Sequence, residues 1–203
     1  MFDKGGNNME AGKKPDRRVH RTRLLLQEAL LDLIMEKGYE AITIQDIIDR
    51  ANIGRSTFYS HYADKEKLLL SNIEHLRAVI KDQSKDYLSP LNSGELRFGF
   101  SLPMLQHIQS HRHIYRAVAG KQSGVVVQFH MKRMLVDLIG EEIDLLLPDK
   151  DTKLITREVR LEFIVNTFWS LLTWWMDNKM PCSAQELNTI FHTLTFHGIS
   201  AFD

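Results

Sequence analysis

The residues between Thr43 and Lys65 carry hydroxyl, phenol, imidazole and guanidinium groups at spacings that suit contact with DNA. One short helical segment within this stretch has a polar and aromatic surface with little aliphatic area. Its hydrogen-bonding members are Ser56, Thr57, Tyr59, Ser60, His61 and Tyr62. Such a helix is poorly suited to burial, whereas the major groove admits a helix and offers hydrogen-bond partners along its base edges. The stretch predicts a DNA-binding surface.

Within this surface the side chains divide into base readers and phosphate contacts. Arg55 is the best candidate for direct base readout, because its guanidinium can bind O6 and N7 of guanine together. Ser56 and Thr57 are predicted to lie beside phosphates at the helix start, where backbone N–H groups and the helix dipole favour an anion. The exposed face of the same helix adds three side chains that can reach phosphates or base edges: Tyr59, Ser60 and His61.

Four further residues of the stretch have different expected roles. Thr43 and Lys65 stand at the starts of two neighbouring helices and are predicted to bind phosphates on either side. Phe58 points to the opposite side of a helical wheel and is predicted to be core. For Tyr62 two uses remain open, a contact with the DNA backbone and a place in the core.

Cap and turn residues predict the helices that position these groups. Thr43 is expected to cap a helix that continues to Ala51, and the residues 52–54 (Asn-Ile-Gly) form a turn before a new helix. Asp64 is expected to cap a longer helix. An earlier helix starts near Arg18 and ends at a glycine, Gly38. The pattern is that of a helix-turn-helix.

The second half of the chain also shows helical periodicity only. Residues 87–94 contain proline, asparagine and glycine and are predicted to be a domain boundary. Beyond them we expect five helices: 95–109, 112–119, 125–146, 153–177 and 184–199. Pro103 is expected to kink or break the first of these. Because no segment alternates with period two for long enough to be a strand, the predicted fold is all-α with about nine helices.

Composition restricts the class of protein. The chain has 203 residues with 26 basic and 26 acidic side chains, so its net charge is zero, but six basic residues gather between Lys13 and Arg23. A nucleic-acid binder needs such local positive charge and need not be basic overall. The single cysteine excludes an internal disulfide and is typical of a reducing compartment. With no apolar signal segment or membrane span in the sequence, we expect a cytoplasmic protein without membrane contact.

From Arg21 to Leu70 the chain resembles the TetR family of bacterial regulators. The family shows a Gly after the first helix, a Thr opening the second, an Ala before the turn, a Thr-aromatic-Tyr-x-His/Tyr-Phe/Tyr run in the recognition helix, and then a Lys. The matching residues are Gly38, Thr43, Ala51, 57–62 and Lys65. The residues 54–56 (Gly-Arg-Ser) depart from the more usual Ser-x-Gly, so the operator sequence cannot be inferred.

The resemblance implies a division of the chain and a function. Residues 17–85 correspond to a DNA-binding domain with a helix-turn-helix, and residues 90–203 to an effector-binding and dimerisation domain. Residues 1–16 are polar and glycine-rich and are expected to be a disordered tail, either a basic arm on DNA or a solvated segment. The implied protein is a repressor that a small molecule, of unknown identity, releases from a near-palindromic DNA operator.

One helix of the second half is apolar most of the way round. Between Glu158 and Met176 apolar residues occupy several faces, so the helix must be covered on more than one side. The last helix offers a matching apolar stripe. We therefore predict a homodimer formed through the last two helices, with a two-fold interface; the alternative is a monomer in which other helices cover both faces.

Aromatic and soft side chains with a few polar groups among them indicate where an effector could bind. The candidates for ligand contact are Phe100, Met104, His107, Phe129, Phe163, Asn166, Thr167 and Trp174. This is the mixture found in pockets for small, largely apolar molecules. A helical core has the same composition, so core packing remains the alternative for each residue.

A metal site and a catalytic site are the alternatives to this interpretation. His107 and His111 are four residues apart and His113 follows, a spacing that can place two imidazoles on one metal. No Cys, Asp or Glu completes the set within residues 107–113, so we expect no metal and no cofactor. A metal-responsive or ligand-independent DNA binder remains an alternative. An all-helical enzyme is less expected, because the chain has no nucleophile elbow and no phosphate-binding glycine loop.

Overall fold

The computed structural model describes residues 17–87, 97–119, 124–147 and 155–197, with side chains of 117–119 excepted. These segments form nine α-helices and contain no strand, as predicted. The helices are α1 (Arg17–Lys37), α2 (Ile44–Ala51), α3 (Arg55–His61), α4 (Lys65–Ser84), α5 (Ser101–Ser110), α6 (Arg112–Ala119), α7 (Val125–Leu146), α8 (Arg157–Asp177) and α9 (Ala184–Phe196). The tail predicted for residues 1–16 and the boundary at 88–94 lie outside the described residues. Within them, no helix is both long and apolar enough to cross a membrane.

The caps predicted from the sequence define α1 to α4. Gly38 ends α1 with φ of 75°, a conformation that glycine adopts at little steric cost. Thr43 and Asp46 form a reciprocal capping box at the start of α2. Asn52 turns the chain after α2 with φ of 51°, and the Asp64 carboxylate accepts the backbone N–H of Lys67 at the start of α4.

Three helix ends of the second half differ from the prediction. Helix α5 starts at Ser101 instead of residue 95, and Pro103 lies in its first turn. A proline in the first turn neither kinks nor breaks the helix, because its missing N–H has no intrahelical acceptor there. Helix α8 starts at Arg157, where the Thr156 hydroxyl caps it, and α9 is described to Phe196.

The core of the second half is rich in aromatic residues. The rings of Phe100 and Phe168 lie 5.0 Å apart and those of Phe168 and Phe191 lie 5.1 Å apart, each pair in an edge-on arrangement. These rings join α5, α8 and α9. Trp175 of α8 is fully buried, and its indole N–H donates to the carbonyl of Cys182 at 2.7 Å. The last two helices are thereby held against the rest of the domain.

Helix α4 belongs to both halves of the molecule. It packs against α1 of the first half and against α5 and α7 of the second, and its first turn also meets α7, where the Glu66 carboxylate lies 2.7 Å from Nε2 of His130. Arg77 and Lys81 of α4 form ion pairs of 2.8 and 2.6 Å with the carboxylate of Glu141 on α7. A displacement of α7 or α5 therefore acts directly on the helix that supports α3.

Candidate nucleic-acid interface and small-molecule cavity

Helix α3 has one buried and one exposed side. Phe58 is fully buried, as predicted, among the core residues of α1, α2 and α4. The exposed side carries four of the predicted DNA contacts: Arg55, Ser56, Tyr59 and Ser60. The Arg55 guanidinium lies 5.9 Å from the centre of the Tyr59 ring, a separation at which a cation and an aromatic face attract. The helix thus presents a cation, a phenol and two hydroxyls to solvent on adjacent turns.

The remaining predicted contacts of α3 lie at the edge of this face. Thr57 and His61 are half-buried. Tyr62 is only 8% exposed, and its hydroxyl shares a hydrogen bond of 3.1 Å with the hydroxyl of Ser71, which also accepts from the Gln27 amide at 2.9 Å. Of the two roles that the sequence leaves open for Tyr62, the structure shows the place in the core. The residue ties the end of α3 to α4 and α1.

Thr43 is exposed, but its hydroxyl and backbone N–H are engaged within the protein. Its hydroxyl and its backbone N–H both donate to the Asp46 carboxylate, at 2.6 and 2.7 Å. The Lys37 ammonium pairs with the same carboxylate at 2.8 Å. The hydrogen bonds from Lys37 and Thr43 hold the pKa of Asp46 far below its usual range. Thr43 therefore caps α2, and its hydroxyl proton is directed to Asp46 instead of a phosphate.

Lys65 also has a different environment from the predicted phosphate contact. Its ammonium donates to the backbone carbonyls of Tyr39, Glu40 and Ile42 at 3.0, 3.4 and 2.8 Å, and lies 4.5 Å from the centre of the Tyr39 ring. All three N–H donors are directed at the loop between α1 and α2. Lys65 fixes that loop, and through it the start of α2.

The first turns of α1 carry positive charge next to the helix-turn-helix. The residues Arg17, Arg18, His20, Arg21 and Arg23 are all exposed. The remaining basic residues of the predicted cluster, Lys13 and Lys14, lie outside the described segments. Exposed cations of this kind attract the phosphate backbone without regard to sequence.

The eight residues predicted to contact a ligand do not meet in one cavity of the described structure. Phe100 and Met104 are fully buried in the aromatic core. Phe129 is 58% exposed on α7. His107 is the one member of the set that lines the internal cavity described below. The aromatic and soft residues that suggested a pocket therefore lie mainly in the core or on the surface.

The other four predicted ligand residues lie on one outward stripe of α8. Phe163, Asn166, Thr167 and Trp174 follow one another at helical spacing with Val159 and Ser170. Phe163 and Trp174 are 55% and 47% exposed, and the Asn166 amide donates back to Glu162 of its own helix. Leu194 of α9 lies beside this stripe. The set forms a surface on α8 and α9, which is the face predicted for the dimer.

A cavity of about 290 Å³ lies between α1, α4, α6 and α7, with the end of α5 at its edge. Its apolar wall contains Leu31, Ile34, Leu69, Ile73, Leu76, Val79, Ile114, Val127 and Met131, and its polar groups belong to Asn72, His75, His107, His111 and Tyr115. The sequence interpretation missed most of these residues because they share the spacing of core positions. The available sign of a cavity in the sequence was the presence of two polar residues, Asn72 and Tyr115, at helix positions that otherwise carry core side chains.

Three histidines stand at the edge of this cavity. The rings of His107 and His111 are stacked with centres 4.3 Å apart, and a nitrogen of the His111 ring, Nδ1, lies 2.9 Å from the His107 carbonyl oxygen. Burial lowers the pKa of His107, and the neighbouring charges of His111 and His75 lower it further. Among the described residues no group of three or more His, Cys, Asp or Glu is arranged to hold a metal ion.

Comparison with known proteins adds two family matches and several relatives. Residues 26–71 match the bacterial regulatory proteins of the tetR family, and residues 98–197 match a transcriptional regulator C-terminal region. The chain is 26% identical over 188 residues to the HTH-type transcriptional repressor KstR2 of Mycobacterium tuberculosis, covering 86% of this chain and 91% of that protein. An uncharacterized HTH-type regulator of Bacillus subtilis, YxbF, is 50% identical over 82 residues, or 40% of this chain and 22% of that one.

Solved structures share the fold. A TetR transcriptional regulator from Streptococcus agalactiae superposes with a TM-score of 0.67 at 23% identity, over 89% of this chain and 96% of that one. The regulator FadR of Bacillus subtilis, solved in complex with stearoyl-CoA, has a TM-score of 0.61 at 15% identity, over 87% and 98% of the two chains. The helices of the described residues are therefore arranged as in known transcriptional regulators.

Proposed function

The chain belongs to the TetR family of bacterial transcriptional regulators, and on that premise we propose that it is a homodimeric, cytoplasmic repressor released from DNA by a small molecule. It is a DNA-binding regulator, and its relatives are regulators rather than enzymes. Each subunit would place α3 in the major groove of one half of a near-palindromic operator. The half-sites would lie one helical turn (~34 Å) apart.

The observation that carries this proposal is the division of α3 into a buried and an exposed side. Phe58 fixes the helix to the core, and Tyr62 ties its end to Ser71. The opposite side leaves Arg55 and Tyr59 free to reach base edges, with Ser56, Thr57, Ser60 and His61 toward the phosphates. We assign Thr43, Tyr62 and Lys65 to positioning these groups instead of touching DNA, because their polar atoms are engaged within the protein.

Release by a small molecule is supported by the place of the cavity. Its wall includes α4 residues 69–79, between the Tyr62–Ser71 contact and the pairs of Arg77 and Lys81 with Glu141. A molecule that fills the cavity must push against α4, and α4 carries α3. Two structural relatives are described with ligands, FadR with stearoyl-CoA and RolR with resorcinol. A shift of α4 in each subunit would change the spacing of the two recognition helices.

The experiment that tests DNA reading compares two substitutions at one position. Arg55→Ala removes the guanidinium, whereas Arg55→Lys keeps the charge and loses the fork that can bind guanine O6 and N7. Binding to the DNA beside the protein's own gene and to random DNA is measured by fluorescence anisotropy. We expect both variants to lose discrimination between the two DNAs, by about 1 to 3 kcal/mol. Neither variant should change the salt dependence, because no phosphate contact is lost.

The result that would contradict base reading by Arg55 is equally clear. If Arg55→Ala weakens binding to specific and random DNA by the same factor, Arg55 contacts phosphate only. If the wild-type protein does not discriminate between the two DNAs at any salt concentration, the proposed operator is not there. Ser60→Ala is the comparison on the same face: because Ser60 is assigned to the phosphates, any loss of affinity should be equal on the two DNAs and leave discrimination unchanged.

A further inference from the structure

The 290 Å³ cavity has an apolar interior and an imidazole edge, and this asymmetry restricts the molecule that can occupy it. The interior residues Ile34, Leu69, Val127 and Met131 are buried, whereas His75 and His111 are exposed. A ligand there would put an apolar body inward and a polar group at the histidines. The volume lies at the lower limit of about 300 Å³ for sites that enclose small molecules, so the ligand is small.

The charges around the cavity favour an anionic polar group. No Asp or Glu is among the described residues that line it. Three imidazoles, those of His75, His107 and His111, instead lie at one end, and the charges of His75 and His111 are close enough to lower the pKa of His107. An ammonium inside the cavity would face these imidazoles with no carboxylate in the cavity wall to pair with it. A carboxylate would relieve the repulsion between the imidazolium groups.

We propose that the effector is a small organic monocarboxylic acid whose apolar body fills the cavity between α1, α4, α6 and α7, with its carboxylate at His107 and His111. This proposal names the class of the small molecule that is proposed above to release the protein from DNA. It rests on that proposed function only for the effect of the ligand on DNA binding. Unlike a ligand held within the second half alone, this one touches Leu31 and Ile34 of α1. It would contact the DNA-binding domain directly.

Binding of such an acid is coupled to one proton. The Nδ1–H of neutral His111 donates to the His107 carbonyl at 2.9 Å, so Nε2 carries the lone pair and cannot donate to a carboxylate. When Nε2 takes a proton from solvent, the imidazolium becomes a charge-assisted donor. The two stacked rings cannot both be charged without repulsion, so uptake of one proton is expected per ligand. Affinity for the acid should fall as pH rises through the range where histidine titrates.

The other titratable groups near His107 and His111 are His75, Tyr115, Asp86 and Tyr87. His75 of α4 and Tyr115 of α6 line the cavity, and burial raises the pKa of Tyr115 well above its usual range, so it stays neutral. Asp86 and Tyr87, after α4, line a separate depression on the other side of His107 and His111. Helices α1 and α7 contribute only apolar side chains to the cavity.

The test uses matched probes that differ only in the acid group. Octanoate and 4-phenylbutanoate are compared with octanamide and 4-phenylbutanamide by isothermal titration calorimetry of the full-length protein at pH 6 and pH 8. We expect each acid to bind about tenfold more tightly than its amide at pH 6, with most of this preference lost at pH 8. Titrations in two buffers of different ionisation enthalpy should show uptake of about one proton for the acids only.

Substitutions identify the site. The double variant His107→Asn/His111→Asn should lose the preference for the acid and keep binding of the amide, because the apolar interior is intact. His113→Asn removes an exposed histidine that does not line the cavity and should leave the preference unchanged. Val79→Phe narrows the cavity and should weaken acid and amide alike. A thermal melt of each variant checks that it is folded.

The outcomes separate this inference from the DNA-binding proposal. No binding of either probe, equal binding of acid and amide, or a preference that survives in the double variant would overturn the ligand assignment, whatever the protein does on DNA. If the acids bind as expected but the protein does not recognise the DNA beside its gene, the repressor proposal fails and the site stands. Release of DNA by the acids at pH 6, but not by the amides at equal concentration, would support both.

Discussion

At the scale of single residues, some side chains of α3 are exposed where they can contact DNA, while their immediate neighbours are buried and hold that surface in place. Arg55 and Tyr59 are exposed, while Phe58 and Tyr62 are buried between them and α4. The helical wheel was enough to predict the place of Phe58, because it needs only neighbours along α3. The contacts that Lys65 makes within the protein could not be predicted in the same way, since its carbonyl partners lie 23 to 26 residues earlier in the chain.

Replacing Lys65 by methionine tests its supporting role. The substitution keeps the length of the side chain but removes the Lys65 donor from the carbonyls of Tyr39 and Ile42, of which the Tyr39 carbonyl still accepts the Ile42 backbone N–H. We expect the free energy of unfolding to fall by about 1 to 3 kcal/mol. Affinity for DNA should fall modestly, with no change in the slope of log affinity against log salt, because no phosphate contact is lost. Denaturant unfolding and anisotropy at several salt concentrations measure both effects.

A neighbouring lysine supplies the control for this measurement. Lys67→Met removes an exposed charge two residues further along α4 and should leave unfolding almost unchanged. The opposite pattern for Lys65→Met, unchanged stability with a salt slope reduced by about 0.9, would show that its ammonium binds a phosphate after all.

At the scale of helices, the accuracy of each predicted helix end depended on how close in sequence the residues that define that end lie to it. The box formed by Thr43 and Asp46 involves residues three apart, and it was predicted. The start of α5 depends on Glu142 of α7, more than forty residues away. The Glu142 carboxylate accepts the backbone N–H groups of Gly99 and Phe100 at 2.7 and 3.0 Å. No pattern near residue 95 contains that information, so the predicted helix began too early.

The buried Glu142 makes stability depend on pH in a direction opposite to that of most carboxylates. Burial and, to a smaller extent, the Glu141 charge raise the pKa of Glu142 to about 7, against the two backbone hydrogen bonds, which lower it. Between its usual pKa of 4.5 and pH 7 the folded protein keeps a proton that the unfolded chain has lost. The stabilisation is therefore complete below pH 4.5 and lost as pH rises through 7, by on the order of 3 kcal/mol.

Replacing Glu142 by glutamine should remove this pH dependence. The variant is expected to be less stable at pH 5, because one of the two N–H groups now faces the amide NH₂ instead of an oxygen. Its stability should change less than that of the wild type between pH 5 and pH 8, measured by urea unfolding at each pH. Parallel curves for the two proteins would mean that Glu142 is ionised throughout this range.

At the scale of the whole molecule, α8 keeps apolar surface that the described part of the subunit leaves exposed. Its inner side holds Phe168, Leu172 and Trp175, all buried, while Phe163 and Trp174 remain exposed on the outside. The sequence predicted correctly that more than one face is apolar. It could not tell a face for a ligand from a face for a partner chain, because both are apolar with a few polar groups. The predicted ligand contacts Phe163 and Trp174 therefore fall on the proposed dimer surface.

A charge on this surface tests two points together: whether α8 forms the dimer interface, and whether DNA binding needs the dimer. Phe163→Glu places a carboxylate near the centre of the stripe on α8, and in a two-fold interface each substitution is present twice. We expect the protein to become monomeric at micromolar concentration in sedimentation velocity, to keep its helical circular dichroism, and to lose most of its affinity for a two-half-site operator. Phe129→Glu is the matched control, since Phe129 is similarly exposed on α7, outside α8 and α9. A dimeric Phe163→Glu protein that binds operator like the wild type would place the interface elsewhere.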